Sequence, residues 1–316
     1  MLDEGRILFL SPAFFGYEKV ITAALKKKFK QVDYIDLRGT TSYLTRKLGF
    51  SNKAISYSIL EKLSKYSYDI IFIIKGENIS EHLIKKISSI HKGDIRLYNW
   101  DSVKSFNNTH LFGYCSKVFS FDPLDCKSFC MVYKELFATE LLNLEQLHFK
   151  NKLMFIGTAR NDRIKILYKI FNRYGFNLDY VVNLYFQSIF VYLIRILLNP
   201  YLIKMPWDFI YFKKIPYDKY LRKLEQVSYV LDIESETQSG LTVRSIEALC
   251  NGKILLTTNT FALHTPLYTG ENVLLINRTD KDPLSAIRLD KEIKAKVSPD
   301  LVQNYHVDIW LEDFFD

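Results

Sequence analysis

Two stretches of the chain set glycine, arginine and hydroxyl side chains in an order that can hold a phosphate. The first is Gly157-Thr158-Ala159-Arg160-Asn161-Asp162-Arg163, between a short apolar run and a helical pattern. Glycine lets the backbone approach an anion, free amides open the next helix, and the forks of Arg160 and Arg163 can neutralise a diphosphate. Such a clamp suits a reaction in which a diphosphate departs with growing negative charge. The alternative is that both arginines face solvent. The second stretch runs Gln238-Ser239-Gly240-Leu241-Thr242-Val243-Arg244-Ser245-Ile246-Glu247, again a glycine loop before a helix. Arg244 and Glu247 stand on one helix face toward the loop. Alternatively they form an ordinary intrahelical ion pair, worth about 0.3–0.5 kcal/mol.

Two carboxylates follow other apolar runs, in Lys75-Gly76-Glu77 and in Asn99-Trp100-Asp101-Ser102. Asp101 or Glu77 could act as a general base toward a hydroxyl. The competing role for each is capping the following helix. After the first run comes Gly16-Tyr17-Glu18, which reads equally as a ligand loop at a helix start or as a turn. The absence of GxGxxG there disfavours dinucleotide binding of that type. No DxD metal motif is convincing. Cys126 and Cys130 have no nearby histidine partner, so a zinc site is not expected. With Cys115 and Cys250 they read as buried free thiols of a reducing compartment.

These residues need elements to carry them, and the chain supplies an alternation of strand and helix. Short apolar runs at residues 6–10, 32–36, 69–75, 95–100 and 117–121 are separated by helical spacing at 17–29 and from Ser80 onward. The pattern restarts with a strand at 152–157, a helix from about Asp162 to Tyr174, a strand at 229–233, a helix at 242–250, and strands at 254–258 and 273–276. This is a doubly wound α/β plan stated twice. It predicts a Rossmann-like domain over 1–148, a second over 149–300, and a closing helix over 301–316. Ligands of such sheets lie at the carboxyl ends of the strands, and two such domains suggest a cleft between them.

Composition narrows the partners. The 316 residues are 48% hydrophobic and 25% charged, enough for two cores without disulfides or a structural metal. A net charge of +8 suits a phosphate-bearing substrate or an anionic membrane surface. No nucleic-acid-binding motif occurs, and the longest basic run, Lys26-Lys27-Lys28, reads as the solvated end of a helix. Asp3 and Glu4 argue against a signal peptide. Residues 178–203 are the greasiest stretch, yet Asn183, Gln187, Arg195 and Asn199 interrupt it, so it is no membrane span. A buried helix is the first reading. The second is a surface resting on a membrane, with Arg195, Lys204, Trp207, Lys213 and Lys214 suited to anionic lipid.

The segment from Leu231 to Lys253 resembles the sugar-nucleotide site of GT-B glycosyltransferases, most closely in Glu247-Ala248-Leu249-Cys250-Asn251-Gly252. Phe14-Phe15-Gly16-Tyr17-Glu18, Lys75-Gly76-Glu77, Trp100-Asp101-Ser102, Ser120-Phe121-Asp122-Pro123 and Phe155-Ile156-Gly157-Thr158-Ala159 occur in the same order as in bacterial lipopolysaccharide and capsule biosynthesis proteins. The resemblance spans residues 6–312. It implies an α/β fold of the GT-B kind, two Rossmann-like domains facing each other across a cleft. It also implies a nucleoside-diphosphate-sugar donor, with Glu247 on its ribose, and a lipid-linked or core oligosaccharide acceptor. Neither a metal nor a further cofactor would be required, and the setting would be cytoplasmic, on the inner face of the membrane. Ser239 stands where many retaining members carry a second glutamate. That departure leaves the stereochemistry open and gives room to a scaffold that binds donor without chemistry.

Overall fold

A computed structural model of the chain describes residues 5–39, 50–141, 152–174, 179–284 and 297–315. The chain divides into two compact units. One comprises Met1–Thr139, Glu236–Gly240 and His306–Asp316; the other comprises Glu140–Ser235 and Leu241–Tyr305. The expected boundary at 148/149 lies outside the described residues.

The first unit carries β1 (Arg6–Ser11), α1 (Tyr17–Leu25), β2 (Gln31–Asp36), α2 (Phe50–Lys65), β3 (Ile70–Ile74), α3 (Glu81–Ile90), β4 (Asp94–Asn99), β5 (Lys117–Ser120), α4 (Pro123–Phe129) and β6 (Val132–Tyr133). Its sheet is parallel, in the order β2-β1-β3-β4-β5-β6. All five residues of β3 are buried, as a central parallel strand covered on both faces requires. On one face Leu8, Leu10, Ile71, Ile73 and Leu97 pack with apolar residues of α2 and α3. The other face is aromatic: Phe9 stacks on Phe72, and Phe72 and Tyr98 meet Phe314. Phe314 follows α10 (Val307–Trp310), whose Trp310 indole donates to the Glu135 carbonyl at 2.7 Å. The helix expected over 301–316 is instead three short pieces: a helical turn over Pro299–Gln303, α10, and a 3-10 turn over Glu312–Phe314. Each fully buried aromatic or aliphatic side chain here contributes about 1.5–3 kcal/mol.

The second unit carries β7 (Lys152–Thr158), α5 (Asn161–Tyr174), β8 (Asp179–Tyr185), α6 (Ile189–Leu198), β9 (Ile210–Tyr211), α7 (Tyr217–Glu225), β10 (Tyr229–Asp232), α8 (Val243–Cys250), β11 (Ile254–Thr257), β12 (Val273–Leu275) and α9 (Pro299–Gln303). The sheet order is β12-β11-β10-β7-β8-β9, again parallel. β7 alternates as a two-faced strand must. Leu153 and Phe155 enter one core cluster, whereas Met154 and Ile156 enter another with Tyr220, Leu221 and Leu224 of α7. Chain order reverses between β7 and β10, so the carboxyl ends of these two strands are the switch point where this sheet type receives a ligand.

Three expectations change. The greasy stretch is not one buried helix: its first part is β8, and α6 leaves most of its side chains in solvent. The run has no polar face, so periodicity could not tell burial from exposure. Cys130 is exposed, because it ends α4 in the left-handed conformation rather than within a core; Cys250 is buried. Neither Glu77 nor Asp101 caps a helix. Ser80 caps α3 by accepting the Leu83 amide, and Asn108 precedes the 3-10 turn after Asp101.

Candidate functional site

The switch point of the second unit gathers arginines. Asp232 ends β10 and is buried. Its Oδ1 accepts Arg244 Nη2 at 2.9 Å and Nε at 3.3 Å, and its Oδ2 accepts the hydroxyls of Thr242 at 2.5 Å and Ser245 at 2.7 Å. Thr242 also caps α8 by accepting the Ser245 amide, so one threonine fixes both the helix start and the carboxylate. Burial would raise the Asp232 carboxyl. Arg244, the Thr242 hydroxyl and Arg163 more than offset this and hold it below the usual carboxylate range.

Arg244 Nη1 donates to the Ile156 carbonyl at 2.8 Å. Arg163 donates to the carbonyls of Ile233 at 2.8 Å and Thr158 at 3.2 Å. Burial and the neighbouring Arg244 push its guanidinium down to about 10, still charged at neutral pH. These two arginines therefore tie the ends of β7 and β10 together. Gly157 makes room for them: a Cβ there would lie 3.1 Å from Arg244 Nη1 and 3.5 Å from Arg163 Nη1. The solvent alternative thus fails for Arg163, which is buried. Arg160 is the accessible one. It reaches the Ser235 hydroxyl at 3.3 Å and keeps 39% of its side chain exposed.

Sequence reading missed Arg278. It bridges Asp162 at 2.7 Å and Glu234 at 2.6 Å, and the Thr258 hydroxyl donates to the other oxygen of Glu234. Its position is the signal that marks it, since Arg278 follows β12 closely, at the carboxyl edge where ligands of this sheet type lie. Four guanidinium groups thus face three carboxylates at this edge, which leaves a net positive charge beside the N-terminus of α5.

Glu247 is fully buried within α8 and accepts the Tyr217 hydroxyl at 2.6 Å. Leu241 is buried. Gln238, Ser239 and Gly240 belong to the first unit, where Asp122 organises them. Its carboxylate accepts the Ser239 amide at 2.7 Å, the Gly240 amide at 3.3 Å and the Ser239 hydroxyl, while also capping α4. Gln238 donates to the Gly240 carbonyl at 2.8 Å. A Cβ on Gly240 would overlap the Phe121 carbonyl oxygen and lie 2.6 Å from the Phe121 ring. Gly240→Ala is therefore expected to cost about 1–3 kcal/mol by overpacking against rigid backbone. Gly16→Ala meets nothing within 4 Å and strains only its φ of 91°. Thermal denaturation of both variants checks the order: a larger loss for Gly16→Ala would contradict it.

In the first unit the two carboxylates share one lysine. Lys75 Nζ lies 2.7 Å from Asp101 and 3.6 Å from Glu77; Arg38 lies 3.0 Å from Glu77. Lys75 sits at φ 64° beside Gly76 at φ 69°, a strained turn at the carboxyl end of β3. The Gly16 loop is braced by its own chain. Glu18 is buried and accepts the Phe14 amide at 2.9 Å, and Tyr17 packs against Phe14 and Trp100. Among the described residues no cluster of three or more His, Cys, Asp or Glu side chains could hold a metal.

Two parallel Rossmann-type units with these sheet orders define an α/β chain of the GT-B fold. No protein-family model matches the chain, and no curated protein sequence matches it. Solved structures do. The lipopolysaccharide outer core galactosyltransferase WaaB is 13% identical with a TM-score of 0.58, and the match covers 98% of each chain. Anabaena HepE in complex with UDP-glucose is 11% identical with a TM-score of 0.62, also over 98% of each chain. The UDP-GlcNAc 2-epimerase of Methanocaldococcus jannaschii, with UDP-GlcNAc and UDP, is 13% identical with a TM-score of 0.57, over 92% of this chain and 95% of that one.

Proposed function

We propose that this chain is a glycosyltransferase that moves a sugar from a nucleoside-diphosphate-sugar donor to a hydroxyl of a lipopolysaccharide core or other surface-glycan acceptor. The observation that carries the reading is the arginine cluster at the switch point of β7 and β10. Arg163 and Arg244 set the strand ends, and Arg160 is left accessible at the start of α5. A departing diphosphate would be stabilised there by Arg160, the first-turn amides of α5 and the surplus positive charge. Thr158 and the Gly157 backbone would line the same edge. WaaB, a galactosyltransferase, and HepE, seen with UDP-glucose, support this donor class. Among the lipopolysaccharide and capsule proteins that the sequence resembles, the core protein RfaS fits by length and setting, and the rhamnosyl transfer ascribed to it adds the finer proposal that the sugar is rhamnose. A lipid-linked acceptor would place the enzyme at the cytoplasmic face of the membrane.

The second reading is a scaffold that binds nucleotide sugar without chemistry. Ser239 favours it, since that side chain is occupied by Asp122. Calorimetry with UDP, GDP, dTDP and ADP should show binding of at least one. Arg160→Ala should weaken that binding about tenfold or more, the worth of a charged hydrogen bond. If no nucleotide binds, both readings fail. Product analysis with radiolabelled donor and truncated lipopolysaccharide then separates them: transferred sugar supports the enzyme, and unchanged donor supports the scaffold. An epimerised donor would move the chain to the chemistry named for the epimerase.

A further inference from the structure

A surface helix normally turns polar residues to water. α6 does the reverse. Its ten residues, Ile-Phe-Val-Tyr-Leu-Ile-Arg-Ile-Leu-Leu, include one polar charge, Arg195, and that guanidinium is turned back onto the Ala159 carbonyl. Tyr192 anchors the helix to the core. Phe190, Leu193, Ile194, Leu197 and Leu198 recur at helical spacing on the outer side, with Leu197 85% and Phe190 73% exposed. The patch continues through Ile203, 67% exposed, and Trp207, 60% exposed. An apolar stripe of this kind marks an interaction surface.

Charge identifies the partner. Across residues 186–214 the cations are Arg195, Lys204, Lys213 and Lys214, and Asp208 is the sole acid. Lys204, Lys213 and Lys214 are exposed; Lys204 also reaches the Tyr168 hydroxyl at 3.3 Å. Apolar side chains bordered by lysines and an exposed tryptophan match the interface of a bilayer with anionic head groups. At about 1.5 Å per residue α6 is about 15 Å long, half the hydrocarbon thickness, so it can lie in the interface but not cross it. No described helix is long and apolar enough to cross a membrane.

We infer that α6 and the segment to Lys214 rest in the head-group region of an anionic lipid bilayer. This deepens the proposed function by naming the surface that would bring the enzyme to a lipid-linked acceptor, and it rests on that reading only for its purpose. The test is co-sedimentation of the full chain with phosphatidylcholine vesicles, with and without phosphatidylglycerol, at low and high salt. The wild type should pellet with the anionic vesicles at low salt and less at high salt. The double variant Phe190→Glu/Leu197→Glu should lose binding about tenfold or more, and Lys213→Glu/Lys214→Glu should lose the dependence on phosphatidylglycerol. Phe190 and Leu197 are exposed, so the Phe190→Glu/Leu197→Glu variant should keep the wild-type melting temperature and nucleotide affinity. Wild-type protein that stays in the supernatant with anionic vesicles at low salt overturns the inference. So does a Phe190→Glu/Leu197→Glu variant that pellets like wild type. A wild-type dimer that ignores vesicles, and that this variant splits to monomers in sedimentation equilibrium, would assign the patch to a second copy instead. Loss of nucleotide binding in the wild type would sink the proposed function and leave the vesicle result standing.

Discussion

Asp232→Ala is expected to destabilise the second unit by about 3–5 kcal/mol, the scale for removing one partner of a buried ion pair. The carboxylate is the shared acceptor of Arg244, Thr242 and Ser245, and Arg163 lies close enough to influence it. Its removal leaves the buried Arg163 and the half-buried Arg244 guanidinium groups side by side without that carboxylate, and unties the start of α8. Asp232→Asn keeps the shape but loses the charge, so it should cost less. The pH dependence has a definite sign. The folded carboxyl is held below its unfolded value, so its contribution is present above about pH 4 and is lost as pH falls through the lower folded value. Wild-type stability should therefore drop on acidification below about pH 4, and the Asp232→Asn curve should be flatter there. Urea denaturation across pH measures both effects. Equal acid sensitivity in the two proteins would show that Asp232 does not carry the linkage.

The frame that holds this cluster was legible because strand and helix differ in period. Ile70–Ile74 is a continuous apolar run flanked by charged residues, which only a central parallel strand explains economically. β7 announced itself by an apolar run ending in glycine. The helix α6 was legible in type but not in burial, because a run without polar residues has no amphipathic phase to read. Site chemistry was legible in residue type and less in direction. Arg163 and Arg244 follow the right strands, but their bonds to Thr158, Ile233 and Ile156 carbonyls depend on which strands are neighbours. Strand order joins β7 to β10 across more than 70 residues of chain, and local spacing carries no record of that. The same holds for Arg278, which meets Asp162 from the opposite end of the second unit's sequence.

Asp101→Asn is expected to lower kcat by about 10²–10⁴, the usual contribution of a general base. The prediction rests on the proposed transfer proceeding with inversion, in which a carboxylate takes the acceptor hydroxyl proton. Two carboxylates compete for that role, and the structure separates them. Glu77 is gripped by the Arg38 fork at 3.0 and 3.1 Å and also faces Lys75, with 25% of its side chain exposed. Asp101 pairs with Lys75 at 2.7 Å and keeps 38% of its side chain exposed. A base must give an oxygen to an incoming hydroxyl. Each keeps one oxygen outside these contacts, Oδ1 of Asp101 and Oε1 of Glu77, so their surroundings separate them: Glu77 is held by two cations at a single oxygen, whereas Asp101 meets one and is the more exposed. Glu77→Gln should therefore act mainly by loosening Arg38 and Lys75, with a smaller loss of kcat. Neither substitution should change donor affinity, because neither carboxylate belongs to the arginine cluster. Steady-state kinetics with calorimetry on both variants decide it. An Asp101→Asn enzyme within about threefold of wild type, beside a crippled Glu77→Gln enzyme, would move the base to Glu77; two near-normal enzymes would exclude both.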